Sequence, residues 1–221
     1  GKRLSDREVE EMCGTIARIR RETGMQVCVS FGLLGRQQFD KLKAAGATRV
    51  HNNLETSRRY FPQVCTTHSF EEKTAAIKAA QDAGLEVCSG GIVGLGETWE
   101  DRIDMALTLR KLGIRSVPVN LLSPIPGTPF EENQRVTEEE LERVVAVFRF
   151  LLPDAFIRLA GGRGLMQDKG AGCFRSGANA AITGDMLTTA GYTVESDRKN
   201  VRVSQRNFDF LPARMPSKKS I

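Results

Sequence analysis

The chain has 221 residues, a net charge of +5 and 40% apolar side chains, enough to build a real core in one large domain or two small ones. No stretch of about 18 apolar residues occurs, so no membrane span is expected. The opening GKRLSDREVEEM carries no apolar signal core, so the chain reads as cytoplasmic. Five cysteines (Cys13, Cys28, Cys65, Cys88 and Cys173) stand at least 15 residues apart, which favours reduced thiols or metal ligands over disulfides.

In chain order, residues 5–22 open on a Ser/Asp cap and repeat Val9, Met12, Ile16 and Ile19 at helical spacing. Gly24 stops that helix, and MQVCVSF (25–31) reads as a buried strand. A helix over 35–45 and a strand over 48–54 follow, then a Ser-capped helix over 69–84. EVCSGGIV (86–93) reads as one strand running into glycine, and a Thr-capped helix over 98–113 comes next. A strand over 116–122 precedes the clearest helix, 137–153, where Leu141, Val144, Val145, Phe148, Leu151 and Leu152 form one apolar stripe. Strands are further expected over 156–160 and 179–183. Residues 193–221, basic and containing Pro and Ser, read as a loosely packed tail, with nucleic-acid binding a minor alternative.

Strands alternating with helices imply a parallel sheet, and the polar residues gather towards the strand ends. Both features fit an α/β (β/α)8 barrel of the TIM type, with a doubly wound open sheet as competitor. Only about six of the eight βα units are visible, so residues 1–192 read as a partial barrel domain lacking two units at its front.

Cys28 and Cys88 each sit in a strand that precedes a loop. Taken singly, each reads as a small buried hydrophobe. Paired on one wall, they could hold a soft metal or an iron–sulfur cluster. Arg158 lies mid-strand in FIRLAGG, where burial demands a partner; an ion pair in the barrel lumen is the plain reading. Asn53, Glu55 and Asn120 stand at strand ends. The two amides could bind a urea or amide group, or simply cap local backbone. Four glycines in GGIVGLG suggest that something lies against bare backbone there. His51 and His68 are weak candidates for ligand or base, Cys65 and Cys173 have no evident role, and Cys13 reads as packing.

The segments HNNLETS, CTTHSFEEK, EVCSGGIVGLGET, SVPVNLLSPIPGTP, IRLAGGRG and CFRSGANAAITGDMLTT, in that order, resemble the biotin synthase family of radical S-adenosylmethionine enzymes. The likeness runs from about residue 5 to residue 190, and its wording is nearer a divergent subgroup. It implies sulfur insertion into dethiobiotin, with an auxiliary iron–sulfur cluster, 2Fe-2S or larger, as sulfur source. Cys28, Cys88 and Arg158 match ligands of that cluster. A third cysteine ligand would fall upstream of residue 1.

Gly90, Ile92, Gly94 and Glu97 match the pattern that lies against the adenine of S-adenosylmethionine. Glu55 matches an acidic residue near the cofactor ribose. Lys73 stands where an arginine usually meets the methionine carboxylate, keeping the charge but losing the bidentate fork. Asn53 and Asn120 match residues that bond the ureido ring. The family also implies a flavodoxin- or ferredoxin-type electron donor and a homodimer.

Its radical 4Fe-4S cluster sits in a C-x3-C-x2-C loop, a spacing these five cysteines do not offer. The chain therefore reads as an N-terminally truncated form, inactive alone. Two alternatives are another radical enzyme, such as a hydrogenase-cofactor maturase, and a non-catalytic barrel-like binding protein.

Overall fold

The computed structural model describes residues 3–184 and 192–205. All strand pairings among them are parallel. Strands β1 (Val27–Val29), β2 (Ala47–His51), β3 (Glu86–Cys88), β5 (Ser116–Leu121), β6 (Phe156–Leu159) and β7 (Ala180–Ala181) run in that order across the sheet, while β4 (Gly91–Val93) pairs with β5. This is the arc of a TIM-type barrel, the architecture expected from the alternation of strands and helices.

The helices start where the sequence offers side-chain acceptors. Ser5, Ser69 and Thr98 close capping boxes at α1 (Asp6–Thr23), α4 (Phe70–Asp82) and α5 (Trp99–Lys111), and Thr137 caps α6 (Glu138–Leu151). Gly24 ends α1 in the left-handed conformation, at φ +68°. With α2 (Arg36–Ala44), these helices line up in chain order and bury Leu42, Ile77, Leu109, Val145 and Phe148 with the strand residues Val50, Val87, Val117 and Ile157. Each fully buried side chain of this size contributes about 1.5–3 kcal/mol.

Four features depart from the sequence expectation. First, the strand expected over 86–93 is two pieces. The register of Cys88 with Ser116 and of Gly91 with Val119 puts Gly90 opposite Pro118. Proline has no N–H to give the ladder, so pairing lapses there. Second, β1 and β7 are shorter than expected. Third, two short helices appear, α3 (Phe61–Val64) and α7 (Ala171–Arg175), with a 3-10 turn at Arg163–Leu165; none is long enough to show a helical period. Fourth, the expected tail begins as helix α8 (Val194–Gln205), held to the body by Asp197 accepting from Arg163 at 2.6 Å; the rest of that segment, 206–221, lies outside the described residues.

Candidate functional site at the carboxyl ends of the strands

The ends of β1 and β2 and the first turn of α4 enclose a cavity of about 400 Å³. Ser30, Phe31 and Gly32 come from the loop after β1; His51 ends β2 and Asn52, Asn53 and Glu55 follow it; Lys73 comes from α4, and Leu4 completes the lining. Three of the expected cofactor and substrate residues thus share one wall. Gly90, Ile92, Gly94, Glu97 and Asn120 do not line it.

Glu55 is the anchor of this wall. Its backbone adopts the left-handed region at φ +70°, unusual for a side-chain-bearing residue and costing about 1–2 kcal/mol. Two backbone bonds hold it there: Glu55 N–H donates to Gly90 O at 3.1 Å, and Ile92 N–H donates to Glu55 O at 2.9 Å. Burial pushes its carboxyl above the ordinary glutamate value, although the Lys73 ammonium and an Asn53 amide bond of 3.4 Å oppose that. Burial likewise lowers His51, with help from the charge on Lys73. Lys73 itself is buried, and no ion pair among the described residues includes it. A buried ammonium facing a cavity suits an anionic ligand group.

Both candidate amides are tied to backbone. Asn53 accepts from Gly90 N–H at 3.1 Å. Asn120 accepts from Gly161 N–H at 3.0 Å and donates to Gly91 O at 3.1 Å. Each therefore fills the local role that competed with ligand binding, and each keeps one further N–H and one lone pair for a ligand.

Cys28, Cys88 and Arg158 are brought near one another. Solvent reaches Cys28, yet the surrounding protein pushes its thiol upward, the Cys88 thiol adds to that, and Arg49 and Arg158 pull it down. Arg158 makes no ion pair among the described residues, contrary to the plain reading of a lumen salt bridge. Its Nε donates to Ser116 Oγ at 2.9 Å and its guanidinium lies 5.5 Å from the Phe156 ring centroid. Ser116 is the register partner of Cys88, so this bond sets the arginine beside that thiol's row. Two thiols and one guanidinium are a fitting but partial donor set: among the described residues no group of three His, Cys, Asp or Glu side chains could hold a metal ion.

Two of the glycines after β3 are pressed by the protein itself. A Cβ on Gly90 would overlap the Pro118 carbonyl, and one on Gly91 would overlap the Glu55 carbonyl and Met105 Sδ. What presses on these two glycines is protein backbone. Gly94 and Gly96 are needed for another reason, with φ of +102° and +100°. Glu97 turns inward too. Its carboxylate accepts from Gly94 N–H at 3.0 Å and from buried Arg102 at 2.7 Å, so it shapes the glycine loop from behind. Ile92 is half-buried, beside Asn120 across the strand pair.

Sequence reasoning missed several contributors. Arg49 opposes Cys28 in the β1–β2 register and is bonded to Glu86 at 3.1 Å, but in TRVHNN it looks like an ordinary surface cation. Asp101 accepts from Ser57 Oγ at 2.6 Å, from Arg59 Nε at 3.1 Å and from Thr98 N–H at 2.9 Å. Burial would raise this carboxyl, but the bonds from Ser57, Thr98 and Arg59 win and hold it low. It fastens the loop after β2 to the start of α5. Its only sequence signal was the capping-box spacing from Thr98.

Comparison with known proteins identifies what the chain is similar to. Residues 1–109 match the Radical SAM superfamily, and residues 118–205 match the Biotin and Thiamin Synthesis associated domain. Biotin synthase of Brachyspira hyodysenteriae is 60% identical over 201 residues, covering 91% of this chain and 60% of that protein. Biotin synthase of Akkermansia muciniphila is 56% identical over 197 residues, covering 89% and 61%. Biotin synthase 2 of Corynebacterium diphtheriae is 54% identical over 202 residues, covering 91% and 61%. The chain thus spans about three-fifths of the length of these relatives.

Among solved structures, methylornithine synthase (PylB) superposes with a TM-score of 0.75 at 19% identity, covering 89% of this chain and 62% of that one. The FeFe-hydrogenase maturase HydG from Carboxydothermus hydrogenoformans superposes with a TM-score of 0.71 at 18% identity, covering 94% and 53%. At such identity these two establish the fold alone. With identity of 54–60% to three biotin synthases along most of its length, the chain belongs to the biotin synthase family of the radical S-adenosylmethionine superfamily.

Proposed function

We propose that this chain forms the substrate- and cofactor-holding part of a biotin synthase, which inserts sulfur into dethiobiotin. The observation that carries the reading is the placement of buried Lys73 and Asn53 and half-buried Glu55 around one cavity, with Cys28, Cys88 and Arg158 grouped on the same sheet. When bound, S-adenosylmethionine with a reduced 4Fe-4S cluster supplies a hydrogen-abstracting radical, and the auxiliary cluster supplies sulfur.

The chain's own residues bind and orient. Lys73 offers its ammonium to the methionine carboxylate, and Glu55 accepts from the ribose hydroxyls. Ile92 gives the adenine an apolar surface. Asn53 and Asn120, held by their backbone bonds, turn their remaining donor and acceptor to the ureido ring. Fixing amides in this way avoids an ordering cost on binding. Cys28 and Cys88 as thiolates, with the Arg158 guanidinium, would hold the auxiliary cluster. An electron donor of flavodoxin or ferredoxin type and a homodimeric state complete the proposal. Among the described residues no helix is long and apolar enough to cross a membrane.

An anaerobic assay with dethiobiotin, S-adenosylmethionine and reductant tests this reading. The chain joined to a segment bearing C-x3-C-x2-C should form 5′-deoxyadenosine and biotin, and the 221-residue chain alone should form neither. Cofactor cleavage without biotin in the joined protein would point to a different substrate. Cleavage by the chain alone would mean that other cysteines hold the radical cluster.

A further inference from the structure

Asn52 stands between His51 and Asn53 on the cavity wall and has no place in the roles above. It is 4% exposed, and its backbone is fixed by donating to Cys88 O at 3.0 Å. Its side-chain Nδ2 is buried without a hydrogen-bond partner. Leaving such a donor unpaired costs about 1–3 kcal/mol, so Nδ2 calls for an acceptor that the described residues do not supply.

The same cavity contains the Lys73 ammonium, in the first turns of α4, where the helix end also favours negative charge. A carboxylate has two oxygens with about four acceptor positions. Arginine can satisfy both oxygens with one planar fork, whereas an ammonium is a point charge on a flexible stem and fixes no orientation. A second donor from a different, rigid element would restore the missing direction. It would be a neutral one, since another cation beside Lys73 would add repulsion; His51 in this cavity is already held below its ordinary value, the charge on Lys73 contributing after burial.

We propose that Asn52 is the second half of a carboxylate clamp, its Nδ2 donating to the S-adenosylmethionine carboxylate whose other oxygen meets Lys73. The pair together does what a single guanidinium does elsewhere. The inference rests on the cavity being the S-adenosylmethionine site, as proposed above.

Equilibrium dialysis with S-adenosylmethionine and with its decarboxylated form tests it. Asn52→Ala should weaken S-adenosylmethionine by about 10- to 100-fold, as expected for one charge-assisted bond. The decarboxylated form should change by less than about threefold. Adding Lys73→Arg to Asn52→Ala should bring affinity back to within about threefold of the unsubstituted protein. Unchanged S-adenosylmethionine binding in Asn52→Ala would overturn the proposal, because a trapped water would then be completing the amide. Equal loss for both compounds, or no rescue by Lys73→Arg, would overturn it as well. In these cases, weakening by Lys73→Ala or Glu55→Ala would leave the cavity assignment standing. If the unsubstituted protein binds no S-adenosylmethionine, the cavity assignment falls and the clamp with it.

Discussion

Replacing Gly91 by alanine should unfasten the loop that carries Glu55. The added Cβ would lie 2.9 Å from the Glu55 carbonyl carbon and closer still to its oxygen and to Met105 Sδ. Met105 is 2% exposed on α5 and has little room to retreat, so the loop has to move. Overpacking of this kind costs about 1–3 kcal/mol. Displacing Glu55 also breaks its bonds to Gly90 O and from Ile92 N–H, at about 1 kcal/mol each. The expected loss is about 3–5 kcal/mol, a large part of the stability of an ordinary domain. Gly14→Ala is the control: it lies in α1 with nothing within 4 Å of the new Cβ, and should gain about 0.5–1 kcal/mol from helix propensity. Urea unfolding followed by circular dichroism measures both. A Gly91→Ala protein within about 0.5 kcal/mol of the parent would refute the close-packing argument.

Asp101→Ala should cost about 2–4 kcal/mol in the same urea assay, because it strands buried Ser57 and removes a helix-capping acceptor. Arg59 adds little to that sum, since its side chain is 65% exposed. A loss below about 1 kcal/mol would show that this network is not what fastens the loop. Glu55→Gln should be a pH-dependent change. The folded-state value of Glu55 is raised, so the folded protein holds an extra proton above the ordinary glutamate range, and stability falls as pH climbs through the folded-state value. The Gln variant lacks that penalty, so its advantage over the parent should be larger at neutral pH than below about pH 4. A difference between the two proteins that does not vary with pH would contradict the burial argument.

The repeated strand–helix beat was legible because each helix carries its own start signal in Ser5, Ser69, Thr98 or Thr137, and because apolar periods change between elements. The cavity was legible where the residues sit in recognisable segments: Asn53 and Glu55 in HNNLETS, and Lys73 in the Ser69-capped helix, do meet at one cavity. What escaped depends on register. Nothing in SVPVNLL says that Pro118 will face Gly90, so the backbone contacts that leave no room for a Cβ at Gly90 and Gly91 were not legible. Arg49 and Ser116 escaped for the same reason, since only strand pairing sets them beside Cys28 and Cys88. Glu97 stood out by its motif, but its bond to Arg102 did not, because Arg102 is also tied to Glu140, 38 positions away.

We propose that Cys28 and Cys88, with Arg158 beside them, hold iron and sulfide on the sheet. Anaerobic loading of the protein with iron and sulfide, followed by visible absorption and iron determination, tests it most directly. The parent chain should take up no more than one cluster's worth of iron and show sulfur-to-iron charge-transfer bands. Cys28→Ala and Cys88→Ala should each lose those bands, while Cys13→Ala, altered on the first helix, should keep them. Undiminished bands in a folded Cys88→Ala protein would contradict the account.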